Sequence, residues 1–195
     1  FADILTVGGT RLMSSRLSWD LTEAANGVAK TSYAKGGKAV PMYFWEHGST
    51  ALLHTTIEYT TEFVGSEEEY QPDLMGGFMF HDGRSSGWII TGNTGIITTN
   101  WQFKQGLIPY HVLHYPDKRK VDMTVAMRGN YFYVYLDDVF VSKLPISRVI
   151  PTAKEGSDLA FSLFMIADKT ADARFSNISI STDASVVDEY IRQHK

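Results

Sequence analysis

The sequence predicts an all-β fold, a two-sheet antiparallel jelly-roll sandwich that ends in one short helix. Three observations support this prediction. Strands joined by tight turns follow one another between residues 121 and 145. Elsewhere, turn signals recur roughly every eight to twelve residues, which is the spacing of sandwich proteins. Apolar residues at helical spacing occur only after Asp183.

The clearest element is a three-strand meander over Val121 to Pro145. Side chains alternate with period two from Val121 to Arg128 and again from Tyr131 to Leu136, as in strands with one buried face. Gly129 and Asn130 supply the first turn, because these residue types tolerate the positive φ that hairpin turns require. Asp137 and Asp138 make the second turn, and a third strand runs from Val139 to Ser142.

Further strands are predicted upstream, the longest of them with clear alternation from Ala51 to Val64. Gly83, Gly87 and the pair Gly92-Asn93 mark turns between them. Pro41 has no backbone N–H, which predicts an edge position for its strand. The predicted ranges are Phe1 to Val7, Arg16 to Leu21, Val28 to Tyr33, Val40 to Trp45, Ala51 to Val64, Gly76 to His81, Trp88 to Thr91 and Gly95 to Thr99.

The C-terminal third predicts one more buried strand and a helix. The apolar run from Ala160 to Ala167 has the length of a central strand. Asp183 can cap a helix whose apolar residues, Val186, Val187, Tyr190 and Ile191, recur at helical spacing. We therefore expect a sandwich over 1–182, and a helix over 183–195 that packs on it or leads into a following module.

The meander VDMTVAMRGNYFYVYLDDVFVSKLP resembles the hairpin of concanavalin A-like lectin/glucanase and laminin-G-like domains. In those families a strand ending near R-x-G turns into a second strand that ends in D-G; here Asp138 stands in place of that glycine. The segment ARFSNISI, residues 173–180, resembles the last strand of the superfamily, which often pairs beside the first. The resemblance implies a concanavalin A-like sandwich, and a fold does not by itself give a function.

Composition excludes several classes of function. The formal net charge of −4 argues against an electrostatic nucleic-acid binder, and the one basic cluster, Lys118 to Lys120, is interpreted as a guard of a strand edge. The chain has no cysteine, which excludes disulfides, thiol catalysis and cysteine-based zinc sites. No apolar run reaches the ~18 residues of a membrane span. The chain opens at Phe1 and not at Met, so we expect a mature or excised piece.

No catalytic motif is found, and we predict that the domain is not an enzyme. Glycosidases of the resembled superfamily carry a strand motif of the form E-x-D-x-E, and the nearest match here is Glu58 to Glu62 with Thr60 at its centre. Side chains four apart on a strand start about 13 Å from each other, whereas a retaining pair works at about 5 Å. Glu58 and Glu62 are therefore interpreted as surface carboxylates.

Metal sites are weakly supported by the sequence. His111 and His114 have helical spacing, but Pro109 and Pro116 flank them and leave no room for a long helix. Glu67 to Glu69 are interpreted as a solvated loop, with a cation site as the alternative. No cofactor is predicted, and calcium dependence is left open.

Aromatic and planar polar residues concentrate between His81 and Tyr115. Sugars present apolar C–H faces, so glycan sites combine aromatic platforms with carboxylate, amide and guanidinium hydrogen-bonding groups. We predict a ligand site with Trp88, Trp101 and Tyr110 as platforms and with Asp82, Arg84 and Asn100 as hydrogen-bonding partners. Tryptophan is mostly buried, so Trp88 and Trp101 are also candidates for the core.

Two functions fit these observations. The first is a non-catalytic, lectin-like domain of a larger extracellular or cell-surface protein that binds a glycan or surface polysaccharide. The second is a structural or protein-interaction sandwich without a glycan ligand, whose partners include neighbouring domains of the same protein. Exposed aromatic residues beside polar planar groups would favour the first, and polar sheet faces with an adhesive terminal helix the second.

Overall fold

A computed structural model describes residues 3–14, 19–31, 39–59, 74–91, 97–98, 107–108, 120–167 and 173–195. They form two antiparallel sheets that pack face to face, so the predicted jelly-roll sandwich is confirmed. The strands are β1 Asp3–Val7, β2 Thr10–Ser14, β3 Trp19–Asp20, β4 Ala29–Thr31, β5 Ala39–Gly48, β6 Ala51–Tyr59, β7 Leu74–His81, β8 Ser86–Thr91, β9 Ile97–Thr98, β10 Leu107–Ile108, β11 Lys120–Arg128, β12 Tyr131–Leu136, β13 Val139–Pro145, β14 Leu159–Ala167 and β15 Ala173–Ser181. A 3₁₀ turn spans Ala24–Asn26, and the helices are α1 Ile146–Val149 and α2 Ala184–Gln193.

The larger sheet has the strand order β1-β2-β5-β14-β7-β8-β9-β10, and the smaller sheet the order β13-β12-β11-β6-β15-β4-β3. The core lies between the sheets and is rich in phenylalanine. Phe80 packs against Phe132 of the opposite sheet, with ring centroids 4.5 Å apart, and against the edge of Phe161. Each such ring, fully buried, contributes on the order of 2–3 kcal/mol. The aromatic core therefore holds the two sheets together face to face.

The predicted meander is present as β11, β12 and β13, with both turns at the expected positions. Asp137 and Asp138 have φ of 49° and 62°, so aspartate takes the left-handed conformation that glycine would adopt more easily. The Asp137 side chain accepts a hydrogen bond from the backbone N–H of Asp122, and its own N–H donates to the Asp122 carbonyl. These bonds stabilise a turn with two non-glycine residues at positive φ.

The strand containing Pro41 is predicted to lie near a sheet edge, and β5 is the third strand in the order of the larger sheet. β5 lies inside the larger sheet, between β2 and β14. Pro41 is opposite Phe164 on β14, while the pairs with β2 run only from Leu12↔Phe44 to Met13↔Tyr43. Pro41 is two residues away from the nearest described pair with β2, that of Tyr43. The prediction also missed β2, a strand between Gly9 and the undescribed residues 15–18.

The positions of the last two strands, β14 and β15, can be compared with their predictions. β14 is a central buried strand between β5 and β7, as its apolar run predicts. The closing strand β15, in contrast, pairs with β6 and β4 and not with the first strand. A register shift between Ser176 and Ser179 accompanies Asn177, whose φ is 49°, so the strand is bulged at this point.

The C-terminal helix begins where the sequence predicts. The Asp183 carboxylate accepts from the backbone N–H of Ser185, as an N-cap does. The helix packs on the smaller sheet, where Val187 is buried against Ala126 and Tyr135. None of the helices in the described ranges is long and apolar enough to cross a membrane. The boundary between a sandwich over 1–182 and a separate C-terminal segment over 183–195 stays a prediction.

Candidate functional site

Trp88 is not a ligand platform, and this part of the predicted site is wrong. Its side chain is fully buried and stacks on Phe164, with ring centroids 5.2 Å apart. It belongs to an apolar cluster with Met79 and Ile90. An indole buried in this way contributes packing energy to the fold and offers no surface to a sugar.

Asp82 has a structural role in the turn between β7 and β8. One carboxylate oxygen accepts from the backbone N–H groups of Arg84 and Ser85, and the other accepts from the Thr152 hydroxyl. These hydrogen bonds, led by that of Ser85, lower the pKa of Asp82 to about 2. The carboxylate therefore ties the hairpin to the loop after α1, whereas the Arg84 side chain is exposed.

The lowered pKa of Asp82 makes a prediction about stability and pH. Since the folded pKa lies below that of the unfolded chain, the carboxylate stabilises the fold above about pH 4, and this contribution is lost as pH falls toward 2. We expect Asp82→Ala to cost about 1 kcal/mol at pH 7, a modest value because the group is partly solvated. Urea unfolding at pH 7 and at pH 2.5 measures this. A cost of equal size at both pH values would contradict it, and Arg84→Ala should be neutral at both.

The remaining predicted site residues, Asn100, Trp101 and Tyr110, lie outside the described residues, and their roles stay predictions. Glu62, Glu67 to Glu69, His111, His114, Lys118 and Arg119 also lie outside them. Glu58 is described and lies 3.6 Å from the Arg174 guanidinium, on the outward face of the smaller sheet. That position agrees with a surface carboxylate in an ion pair.

The outer face of the larger sheet, meaning the face turned away from the core, is the best candidate site. Strand alternation sends Phe44, Phe78 and Phe161 into the core and their neighbours outward. One part of this face is covered, because Met79, Trp88, Ile90 and Phe164 are buried there. Tyr43 packs at the margin of that cluster, where burial raises the pKa of its hydroxyl. The solvent-accessible part of the outer face begins beside Tyr43.

Trp45 is the accessible aromatic residue of the outer face. Its side chain is 42% exposed, and the Arg11 guanidinium of β2 lies over the indole, 5.1 Å from the ring centroid. The register between β5 and β14 shifts between the pairs Ala160↔His47 and Ser162↔Tyr43, which leaves extra residues on β5 around Trp45. A bulge of this kind re-aims a side chain, and here it holds the indole at the surface.

Two histidines, an alanine and a serine on adjacent strands form a row next to Trp45. Ala160 of β14 is paired with His47 of β5 on one side and with His81 of β7 on the other, and His81 is paired with Ser86. His47 is hydrogen-bonded to Asp158 through Nδ1 at 2.8 Å, and this bond raises the pKa of His47. We call His47, Ala160, His81 and Ser86 the histidine row. It gives the outer face hydrogen-bonding groups beside an aromatic platform.

The outward face of the smaller sheet is occupied by the protein itself. Helix α2 covers Tyr135, which is 1% exposed. The Lys143 ammonium lies 4.1 Å from the ring centroid of Tyr131 and 5.4 Å from that of Tyr133. Tyr131, Tyr133 and Tyr135 of β12 share this face; the helix and the lysine pack against them, and 37% of Tyr131 remains exposed.

The sequence analysis missed Trp45, although a signal was present. Met42 and Phe44 alternate with Tyr43, Trp45 and His47, so the pattern already divides the strand into an apolar face and an aromatic, polar face. The strand was interpreted as an edge because of Pro41, which hid this division. Among the described residues, no three histidine or carboxylate side chains stand close enough to hold a metal ion.

No family model matches the sequence, and no curated protein matches it. Solved structures do match over most of the chain. A protein assigned as a glycosyl hydrolase from Parabacteroides distasonis has a TM-score of 0.55 at 14% identity, with 88% of this chain and 93% of that chain covered. The alginate lyase from Corynebacterium sp. has a TM-score of 0.54 at 10% identity, with 91% and 92% covered. A xylan β-1,4-xylosidase from Bacillus halodurans has a TM-score of 0.53 at 9% identity, with 83% and 34% covered.

The fold is a concanavalin A-like jelly roll. The two sheets and their strand order, together with these structural matches, establish this, and the hairpin resemblance in the sequence is in agreement. Identities of 9–14% establish the fold alone.

Proposed function

We propose that this domain binds a glycan on the outer face of the larger sheet without cleaving it, as part of a secreted or surface protein. The observation that carries the proposal is Trp45, an indole that is 42% exposed and flanked by Arg11 on one side and the histidine row on the other. An aromatic face with hydrogen-bonding groups beside it is the combination that a sugar ring requires.

Three carboxylates of the described residues, those of Asp82, Asp158 and Glu58, favour binding over hydrolysis. Asp82 is held in its own turn by three hydrogen bonds, and Asp158 is bonded to His47. Glu58 is on the other sheet, paired with Arg174. A glycosidase needs two carboxylates free to act on one bond, and these three are engaged elsewhere.

The structural matches add support of a general kind. The names of the matched proteins concern polysaccharides such as alginate and xylan. The match to the xylosidase spans 34% of that chain, so a sandwich of this shape occurs there as one part of a longer chain. We infer a comparable role as one module among several.

The test is the loss of glycan binding in Trp45→Ala. A glycan array with and without calcium selects the ligand, and calorimetry measures the affinity. Loss of the stacking surface should weaken binding at least about tenfold, while the free energy of unfolding changes by no more than about 1 kcal/mol. Phe140→Ala is the matched control, because Phe140 is 43% exposed on the smaller sheet. Equal affinity in wild type and Trp45→Ala would overturn the proposal.

A second candidate, a protein-interaction module without a glycan ligand, rests on helix α2. Val186 is 42% exposed at a groove between the helix and β6, lined also by Leu52, Glu189 and Tyr190. An absence of binding to every glycan of the array, with and without calcium, would favour this candidate over the first.

A further inference from the structure

In the histidine row, one imidazole lies on each side of the small residue Ala160. His47 and His81 are both paired with Ala160, so the three lie on adjacent strands and their side chains share the outer face. Neighbouring strands are about 4.8 Å apart, which puts the two histidine Cα atoms roughly 10 Å from each other. Ala160 carries only a methyl group, so no long side chain of β14 stands between the imidazoles at this position.

The two histidines present opposite hydrogen-bonding polarity. The Nδ1 of His47 faces the Asp158 carboxylate at 2.8 Å, and an ionised carboxylate only accepts, so this Nδ1 carries the proton. The Nδ1 of His81 accepts from the backbone N–H of Gly83 at 2.8 Å, so in neutral His81 the proton is on Nε2. Neutral His47 therefore offers an Nε2 acceptor, and His81 offers an Nε2 donor.

The charges around the row favour an uncharged ligand at His47. Asp158 is bonded to its ring, and Glu46 precedes it on β5. The positive groups lie farther along the surface: Arg11 is over Trp45, and Arg84 is in the turn after His81. Strand alternation points Glu46 to the opposite face, so a ligand carboxylate at His47 would meet one acidic neighbour, Asp158, and a ring nitrogen that only accepts. A hydroxyl, in contrast, can donate to that nitrogen.

We propose that His47 and His81 form a subsite for one uncharged sugar residue, with His47 accepting from one hydroxyl and His81 donating to another across Ala160. This inference rests on the proposed glycan-binding function. With Cα atoms roughly 10 Å apart, the two imidazoles can reach hydroxyls of one sugar residue through hydrogen bonds of about 2.8 Å. Asp158 is a positioning residue, since it fixes the tautomer of His47.

The subsite makes binding depend on pH. Protonation turns the Nε2 acceptor of His47 into a donor, so the hydroxyl that donates to it must rotate and accept instead. The subsite requires this reversed hydrogen bond to be the weaker one, so affinity for a neutral sugar falls as pH drops through the pKa of His47. The Asp158 hydrogen bond raises that pKa above the ordinary value of 6.5, so the loss begins near neutral pH. Loss of one hydrogen bond corresponds to about a five- to tenfold decrease in affinity.

The experiment measures binding of xylotetraose and of an alginate tetrasaccharide at pH 8.0 and pH 5.5. In the wild type, affinity for xylotetraose should fall about five- to tenfold at the lower pH. His47→Gln keeps an acceptor at both pH values and should abolish the pH dependence, whereas His47→Ala should be weak throughout. Asp158→Asn should move the midpoint of the profile to lower pH. An unchanged profile in His47→Gln, or tighter binding of the anionic sugar at pH 8.0, would overturn the subsite.

Two further readouts separate the subsite from the proposed function. If Trp45→Ala loses binding while His47→Ala and His81→Ala do not, the face binds glycans and the subsite is wrong. The nitrogen-15 chemical shifts of the imidazoles need no ligand: the subsite requires Nδ1–H in His47 and Nε2–H in His81 at pH 8.0. The same tautomer in both rings would contradict it even if neither saccharide binds.

Discussion

Replacing Gly87 by alanine is expected to lower the free energy of unfolding by about 3 kcal/mol or more, because the site has no room for one methyl group. Gly87 lies in β8 where α1 crosses closely, and a Cβ at this position would stand 1.8 Å from the Val149 carbonyl oxygen and 2.7 Å from its carbon. Both are backbone atoms, so a change of rotamer cannot relieve the overlap, and either β8 or α1 must move.

Gly83→Ala in the preceding turn is the matched control for this change. A Cβ at Gly83 would meet nothing within 4 Å, and only the φ of +90° opposes it, at a cost of about 1 kcal/mol. Urea unfolding of both variants gives the comparison. A Gly87→Ala protein as stable as Gly83→Ala would show that α1 does not approach β8 as closely as described.

Trp88→Ala is expected to cost about 3–5 kcal/mol, the range for deleting a fully buried tryptophan. The indole is 0% exposed and stacks on Phe164 at an interplanar angle of 22°, so its removal leaves a cavity in the cluster on the outer face. For a domain of this size the melting temperature should fall by roughly 6–20 °C. Thermal unfolding followed by circular dichroism measures the shift.

The control for Trp88→Ala is Trp45→Ala, which removes the same atoms from an exposed position on the same sheet. Its melting temperature should stay within a few degrees of the wild type. Trp88 then stabilises the fold, and Trp45 binds the ligand. A stable Trp88→Ala protein that loses glycan binding would reverse that assignment.

The strands were predictable because the interactions that form them act between residues close together in sequence. Alternation, Gly129 at the first turn of the meander and the Asp183 cap act within a few residues, and each is found where the sequence placed it. Gly87 shows the limit of this reasoning. It was interpreted as a turn marker, yet it lies within β8, where its lack of a side chain lets Val149 approach, a contact 62 residues away in sequence.

The candidate site was harder to predict because it also depends on contacts between residues far apart in sequence. Density of aromatic residues pointed to the segment from His81 to Tyr115, but exposure depends on what packs over a face, and Trp88 proved to be covered. The histidine row is built from β5, β14 and β7, which only sheet pairing brings together. The position of β5 itself depends on its pairs with β2 and β14, whose residues are far away in sequence.

The most direct test of glycan binding on the outer face is a map of amide and indole chemical shifts during titration with the glycan selected by the array. We expect the largest changes at the Trp45 indole and at the backbone amides of Ala160 and His81. The resonances of Tyr131 on the smaller sheet and of Val186 on helix α2 should not move. Changes concentrated at Tyr131 and Val186, with Trp45 unaffected at saturation, would contradict a binding site on the larger sheet.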